Sequence, residues 1–262
     1  MTGFRSFVIA VGLGLMLGQL ATTVMADDEL TARRQALEPF FRTYRPSGAG
    51  PFPVLLFVSG CSGFAPSIAP QAYTRAAESW LSRGYVVVFV DYLAAQHLAN
   101  CRSSAMLTLV EIGKDILAVA SYLRAQPFII PTRITAVGWS LGGGGVLAAL
   151  GQINSGETSP LHSVIAYYPS CRDLQPWRAP VPALSLMGAE DGTAPPALCQ
   201  QVFVQLPPGT PLEARTYPEA RHGFDVQELP PFARFGNEIV GYNAAAAEAA
   251  ARDIDKFMNK YP

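Results

Sequence analysis

Short apolar runs alternate along the chain with longer segments in which apolar residues recur every three or four positions. Residues 54–60, VLLFVSG, are apolar nearly throughout and predict a buried strand. Residues 71–84, QAYTRAAESWLSRG, predict a helix closed by Gly84, and 85–92, YVVVFVDY, a second buried strand. Within 107–126, Leu109, Ile112, Ile116, Val119 and Leu123 share one helical face. The rhythm continues with strands at 133–139, 162–169, 182–188 and 213–218, and with helices at 146–152, 194–206 and within 243–259. Ahead of all these, 29–38 predicts a polar, partly helical lead-in.

Strands that are apolar on both faces must be covered on both faces. The pattern therefore predicts an α/β fold, a mostly parallel, doubly wound sheet flanked by helices. No internal repeat and no Pro/Gly-rich linker divides residues 27–262, which predict a single domain. Ligands of such sheets bind beyond the carboxyl ends of the strands. Candidate chemistry is thus sought in the loops that follow the strands.

Composition supports a large core: of 262 residues, 50% are apolar and only 15% charged. The first 26 residues carry Arg5, an apolar run from Phe7 to Leu20, and small residues at Val24 and Ala26, ahead of Asp27 and Asp28. That order predicts a secretory signal cleaved after Ala26, and hence a periplasmic or secreted mature protein. A membrane span would need an apolar stretch of about 18 residues or more, which this glycine-interrupted run does not reach. No later segment predicts a span either. The formal charge of 19 − 20 = −1, with no Lys/Arg run, offers no electrostatic basis for binding nucleic acid or an anionic membrane. Cys61, Cys101, Cys171 and Cys199 form an even set, which in an exported chain predicts two disulfides. There is no CxxC, and the three histidines are scattered, so no metal site is predicted.

Residues 136–150, AVGWSLGGGGVLAAL, place four consecutive glycines between a predicted strand and a predicted helix. A flexible loop, a phosphate-cradling turn and a nucleophile-bearing turn are the competing readings. A phosphate loop needs a Lys after its last glycine, where this chain has Val146 and Leu147. Gly143, Gly145 and Ala148 match a dinucleotide fingerprint, but the acids that follow, Glu157 and Asp173, do not sit at the strand end that would hold a ribose. Gly138-Trp139-Ser140-Leu141-Gly142 is a GxSxG sequence at a strand-to-helix junction, the context of a nucleophile elbow.

A serine nucleophile needs a base, and the base needs an orienting acid. In this fold class the order is Ser, acid, His. His222 lies just after the last predicted strand and is the candidate base; His162 is placed at the wrong end of the sheet, and His97 precedes the nucleophile. GAEDGTAPP offers Glu190 and Asp191 as the acid, with Asp191 preferred for its position at a turn before a helix. The backbone N–H of Leu141 is one candidate oxyanion donor, and within SGCSGF that of Cys61 is the other, followed by Ser62. Trp139, Phe64, Tyr92 and Phe224 are candidate acyl-pocket residues. The Pro-rich stretch 225–241 is a candidate pocket-covering segment.

VLLFVSGCSGF, VVVFVDY, GWSLGGG, LMGAEDGTAPPALC and YPEARHGFD, in this order, resemble the dienelactone hydrolase family of α/β-hydrolases over roughly residues 40–260. The resemblance implies a sheet of eight strands or fewer, a Ser140–Asp191–His222 triad, no metal and no organic cofactor. Two departures stand out: Ser140 replaces the family namesake's cysteine, and Ser59-Gly60 stands where many relatives have His-Gly. Arg102, Arg172 and Arg221 have no match to the arginines that hold a dienelactone carboxylate. Cys61 and Cys101 fall in loops at one end of neighbouring predicted strands, and Cys171 and Cys199 follow adjacent strands, so these are the expected pairs. The functional expectation is an exported serine hydrolase acting on a small ester or related acyl compound. An acyltransferase, thioesterase or peptidase would share the triad. A non-catalytic ligand-binding protein would have no need of all three residues.

Overall fold

Seven strands make the central sheet of the computed structural model, which describes residues 28–64, 68–104, 107–154 and 158–262. The predicted signal at 1–26 lies outside the described residues. The strands are β1 (Phe41–Tyr44), β2 (Phe52–Val58), β3 (Val86–Val90), β4 (Ile129–Trp139), β5 (Ser163–Tyr167), β6 (Ala183–Gly188) and β7 (Leu212–Tyr217). Their order is β1-β3-β2-β4-β5-β6-β7. The edge strand β1 runs antiparallel to β3, and every other pairing is parallel. The helices are α1 (28–37), α2 (Ile68–Ser82), α3 (Tyr92–Ala95), α4 (Leu109–Arg124), α5 (Leu141–Leu150), α6 (Pro196–Phe203) and α7 (Ala244–Lys260). This is the α/β-hydrolase fold.

The apolar runs are continuous because successive side chains enter two different cores. Val54, Leu56 and Val58 face one apolar cluster with α4 and α5, while Leu55 and Phe57 face another with α2 and α7. α5 is apolar all round and buried from Gly142 to Leu150, as a helix enclosed between sheet and α4 must be. Thr108 caps α4 by accepting the Glu111 N–H, and Asn243 caps α7 by accepting that of Ala246. Arg33 on α1 reaches Glu111 and Asp115 on α4, which fastens the lead-in helix to the body.

Every strand read from the sequence is present, and further short elements are added among the described residues. β1 is a four-residue edge strand exposed along most of its length, too short to carry a period. The four-residue α3 follows β3 directly, in a stretch read as strand and loop. Within the Pro-rich stretch the chain makes a hairpin of β8 (Ala233–Phe235) and β9 (Glu238–Val240). The helix read at 146–152 begins earlier, at Leu141, so that all four glycines are helical. Packing has overridden their weak helix propensity: a Cβ on Gly144 would strike the Ser170 backbone, and one on Gly145 would strike Ile112. Disulfides join Cys61 to Cys101 and Cys171 to Cys199.

Candidate active site

β4 ends at Trp139 and α5 begins at Leu141, leaving Ser140 alone in the turn with φ 56° and ψ −114°. A non-glycine residue in that conformation persists only when its surroundings hold it. Here the Ser140 N–H donates to the Tyr167 carbonyl at 2.9 Å. The Ser140 carbonyl accepts from the N–H groups of Ser170 at 2.9 Å and Gly144 at 3.0 Å. The flanking glycines have a steric reason. A Cβ on Gly138 would lie 2.7 Å from the Gly143 nitrogen and closer still to the Gly142 carbonyl, and one on Gly142 would overlap the Val58 and Ser59 carbonyl oxygens.

His222 follows β7 and presents Nε2 2.9 Å from Ser140 Oγ. Its Nδ1 lies 2.8 Å from Asp191 Oδ2 in the loop after β6. A carboxylate partner can only accept, which puts the ring hydrogen on Nδ1 and leaves Nε2 free to accept from the serine hydroxyl. Asp191 is fully enclosed and its other oxygen accepts the Ala194 N–H at 2.7 Å, so its orientation is set from both sides. Glu190, the alternative acid, points outward to an ion pair with Arg221. His162 instead contacts the Tyr261 carbonyl at 3.2 Å, and His97 is exposed.

A cavity of about 610 Å³ opens over Ser140. Gly60, Cys61, Tyr73, Ser170, Thr193 and Ala194 are among the residues that line it. Val226, Leu229, Phe235 and Val240 contribute apolar cover, so the stretch 225–241 does line the pocket. It is strapped to the site: the Gly241 N–H donates to the His222 carbonyl at 3.0 Å, and Val240 bridges His222. Leu141 and Cys61 both face the cavity, and the Leu141 N–H is the first of α5, one of the donors a helix leaves unpaired.

Of the four aromatic pocket candidates, Trp139 lines the cavity and the other three do not. Phe64 packs edge-on against Tyr73 and Phe89, and Phe224 against Tyr168 and Tyr217. Tyr92 is fully buried and donates its hydroxyl to the Ser59 carbonyl at 3.0 Å. These rings complete the core beneath the site because the apolar volume there needs filling before any pocket can be shaped.

Four cavity features escape the sequence reading. Tyr73 and Tyr168 line the wall, and so do Arg102 and Arg234, with no acidic neighbour among the described lining residues. Asp225 lies behind the wall. It accepts from Trp139 Nε1–H at 2.9 Å and from the Tyr168 hydroxyl at 2.7 Å, and the Tyr168 ring lies 4.5 Å from the His222 imidazole. Burial pushes the Asp225 carboxyl above the usual range, against the pull of its two donors. Only its place three residues after His222 could have hinted at it.

A sequence model of the dienelactone hydrolase family matches residues 41–262. No curated protein sequence matches the chain. Among solved structures, one from Klebsiella pneumoniae assigned as a dienelactone hydrolase superposes with a TM-score of 0.62 at 17% identity, over 84% of this chain and 92% of that one. An esterase of Thermogutta terrifontis, solved with propionate, gives 0.55 at 18% identity, over 84% and 88% of the two chains. A dienelactone hydrolase-like promiscuous phosphotriesterase from metagenomic libraries gives 0.59 at 14% identity, over 84% and 98%. At these identities the likeness speaks to the fold.

Proposed function

Since the chain belongs to the dienelactone hydrolase family, we propose that it is an exported serine hydrolase that cleaves a carboxylic ester or related acyl bond through an acyl-enzyme. The observation that supports this most is the continuous hydrogen-bonded line from Ser140 Oγ to His222 at 2.9 Å and on to Asp191 at 2.8 Å. Ser140 Oγ attacks the acyl carbonyl carbon while His222 Nε2 takes its proton. The C–O bond to the leaving group then breaks as His222 returns that proton to the departing oxygen. Water, deprotonated by His222, attacks the acyl-enzyme, and collapse of the second intermediate releases the acid and returns the proton to Ser140. Asp191 holds the imidazole throughout. The N–H groups of Leu141 and Cys61 face the developing oxyanion, and loss of one such donor costs on the order of 100-fold in rate.

The apolar cover suits a small, largely hydrophobic acyl or alcohol group. Arg102 and Arg234, with no Asp or Glu among the described lining residues, favour an ester that carries negative charge over a cationic one. Export accords with the two disulfides.

The test is labelling of the mature protein with a fluorophosphonate, together with turnover of p-nitrophenyl esters of graded chain length, neutral and anionic. Wild type should label and turn over, and Ser140→Ala and His222→Ala should do neither. Unlabelled wild type with turnover no better than the variants would sink the reading. Addition of an alcohol or amine acceptor separates hydrolysis from acyl transfer by its products.

A further inference from the structure

The Tyr73 hydroxyl accepts the Gly60 N–H at 3.0 Å. That contact occupies its oxygen and leaves its own proton unspent, with no protein acceptor among the described residues. Tyr73 is only 6% exposed, and what exposure it has lines the cavity that Ser140, Leu141 and Cys61 also line. Its ring is wedged edge-on between Phe64 at 5.1 Å and Trp139 at 4.9 Å, so the hydroxyl cannot swing away to find water elsewhere. Gly60, to which it is tied, abuts the nucleophile: a Cβ on Gly60 would lie 3.2 Å from Ser140 Cβ and 3.7 Å from the Tyr73 hydroxyl. A buried donor without an acceptor is expensive unless something supplies one.

We propose that Tyr73 is a third, side-chain oxyanion donor, whose hydroxyl hydrogen-bonds the tetrahedral intermediate formed on Ser140. The proposal rests on the serine hydrolase reading above and adds to it a residue on α2. No bond to the phenolic hydrogen breaks; the hydroxyl stays a donor before, during and after the reaction. Burial supports this by pushing the Tyr73 phenol above its usual range, which keeps it protonated wherever the enzyme works. The hydroxyl is held before substrate arrives, so no reorganisation is required when charge develops. Its bond from Gly60 also removes that N–H from the set of possible oxyanion donors, which leaves the next one, on Cys61, to serve.

Two variants and one ligand test this. Ser140 Oγ adds to the empty orbital of boron in phenylboronic acid while its proton passes to His222 Nε2, which gives a tetrahedral boronate anion that mimics the intermediate. Wild type that neither turns over esters nor binds the boronate at Ser140 overturns the hydrolase reading itself. With wild type active in both, Tyr73→Phe should lose on the order of 100-fold in kcat with KM little changed, and lose boronate affinity by a similar factor. Unchanged kcat and boronate affinity in folded Tyr73→Phe overturn the donor role. Removing the hydroxyl also strands the Gly60 N–H, so 3-fluorotyrosine at position 73 supplies the second arm. Fluorination makes the hydroxyl a stronger donor and a weaker acceptor. Tighter boronate binding than wild type supports donation to the intermediate; weaker binding assigns Tyr73 to anchoring Gly60 alone and overturns the proposal, whether or not Tyr73→Phe folds.

Discussion

Gly138 and Gly142 touch through their backbones: a Cβ on Gly138 would fall inside the Gly142 carbonyl group. The contact is between main-chain atoms that cannot rotate away, so the cost of a side chain there is a shift of β4 or α5. Gly138→Ala and Gly142→Ala should each destabilise the protein by about 3 kcal/mol or more, or prevent folding. Gly151→Ala, at the open end of α5 with a nearest neighbour at 3.4 Å, is the matched control and should change stability by less than about 0.5 kcal/mol. Thermal melting of the three variants checks both.

Each disulfide should contribute about 3–4 kcal/mol by limiting the unfolded chain, since the bridged residues are 40 and 28 positions apart. Their effects on turnover should differ. Cys61 and Cys101 both line the cavity, so Cys61→Ser with Cys101→Ser should lower kcat of the folded protein. Cys171→Ala with Cys199→Ala should lower the denaturation midpoint and leave kcat near wild type. Urea titration and ester turnover below the transition separate the two outcomes.

Asp225 accepts from two buried donors, one on each carboxylate oxygen, and an amide there keeps one acceptor oxygen and turns an NH2 donor toward the other partner. Asp225→Asn should therefore cost about 1–3 kcal/mol and lower kcat by loosening Trp139 and Tyr168 beside the nucleophile and base. The pH dependence has a definite sign. Because the folded carboxyl is raised above 3.8, its protonated form favours the fold, and that contribution is lost as pH rises from 3.8 through the folded value. The stability advantage of wild type over Asp225→Asn should thus shrink across that rise, as melting curves at stepped pH would read.

Glu228 carries the opposite sign. The Arg75 guanidinium forms two bonds to its carboxylate and holds it below 4.5, which joins α2 to the segment bearing Val226 and Leu229. That contribution is present above 4.5 and is lost as pH falls through the lowered folded value. Glu228→Gln should match wild type in strong acid and fall below it near neutrality, by a small amount because the pair is partly exposed and screened. A parallel melting series, with and without added salt, tests both the sign and the screening.

Much of the candidate site was legible because its demands are local. A turn that lifts a serine between strand and helix needs side-chain-free neighbours two positions away on either side, and Gly138 and Gly142 record that need within five residues. The order of loops after apolar strands then placed Asp191 and His222 at the same end of the sheet, where His222 hydrogen-bonds Asp191 through Nδ1 and Ser140 through Nε2. The aromatic pocket residues were not legible, since Phe64, Tyr92 and Phe224 carry the same apolar signal whether they face a cavity or fill the core below it.

The amino-acid order by itself determined the layered sheet and the elbow, since periodicity and steric exclusion act over a few residues. Only the tertiary structure decided the rest of the cavity. Tyr73 reaches Gly60 across 13 positions, Asp225 reaches Trp139 across 86, and the β8–β9 hairpin is strapped to His222 through Val240 and Gly241. Such contacts join polar groups from separate elements in a dry interior, where each must find a partner, and that requirement leaves no period in the sequence.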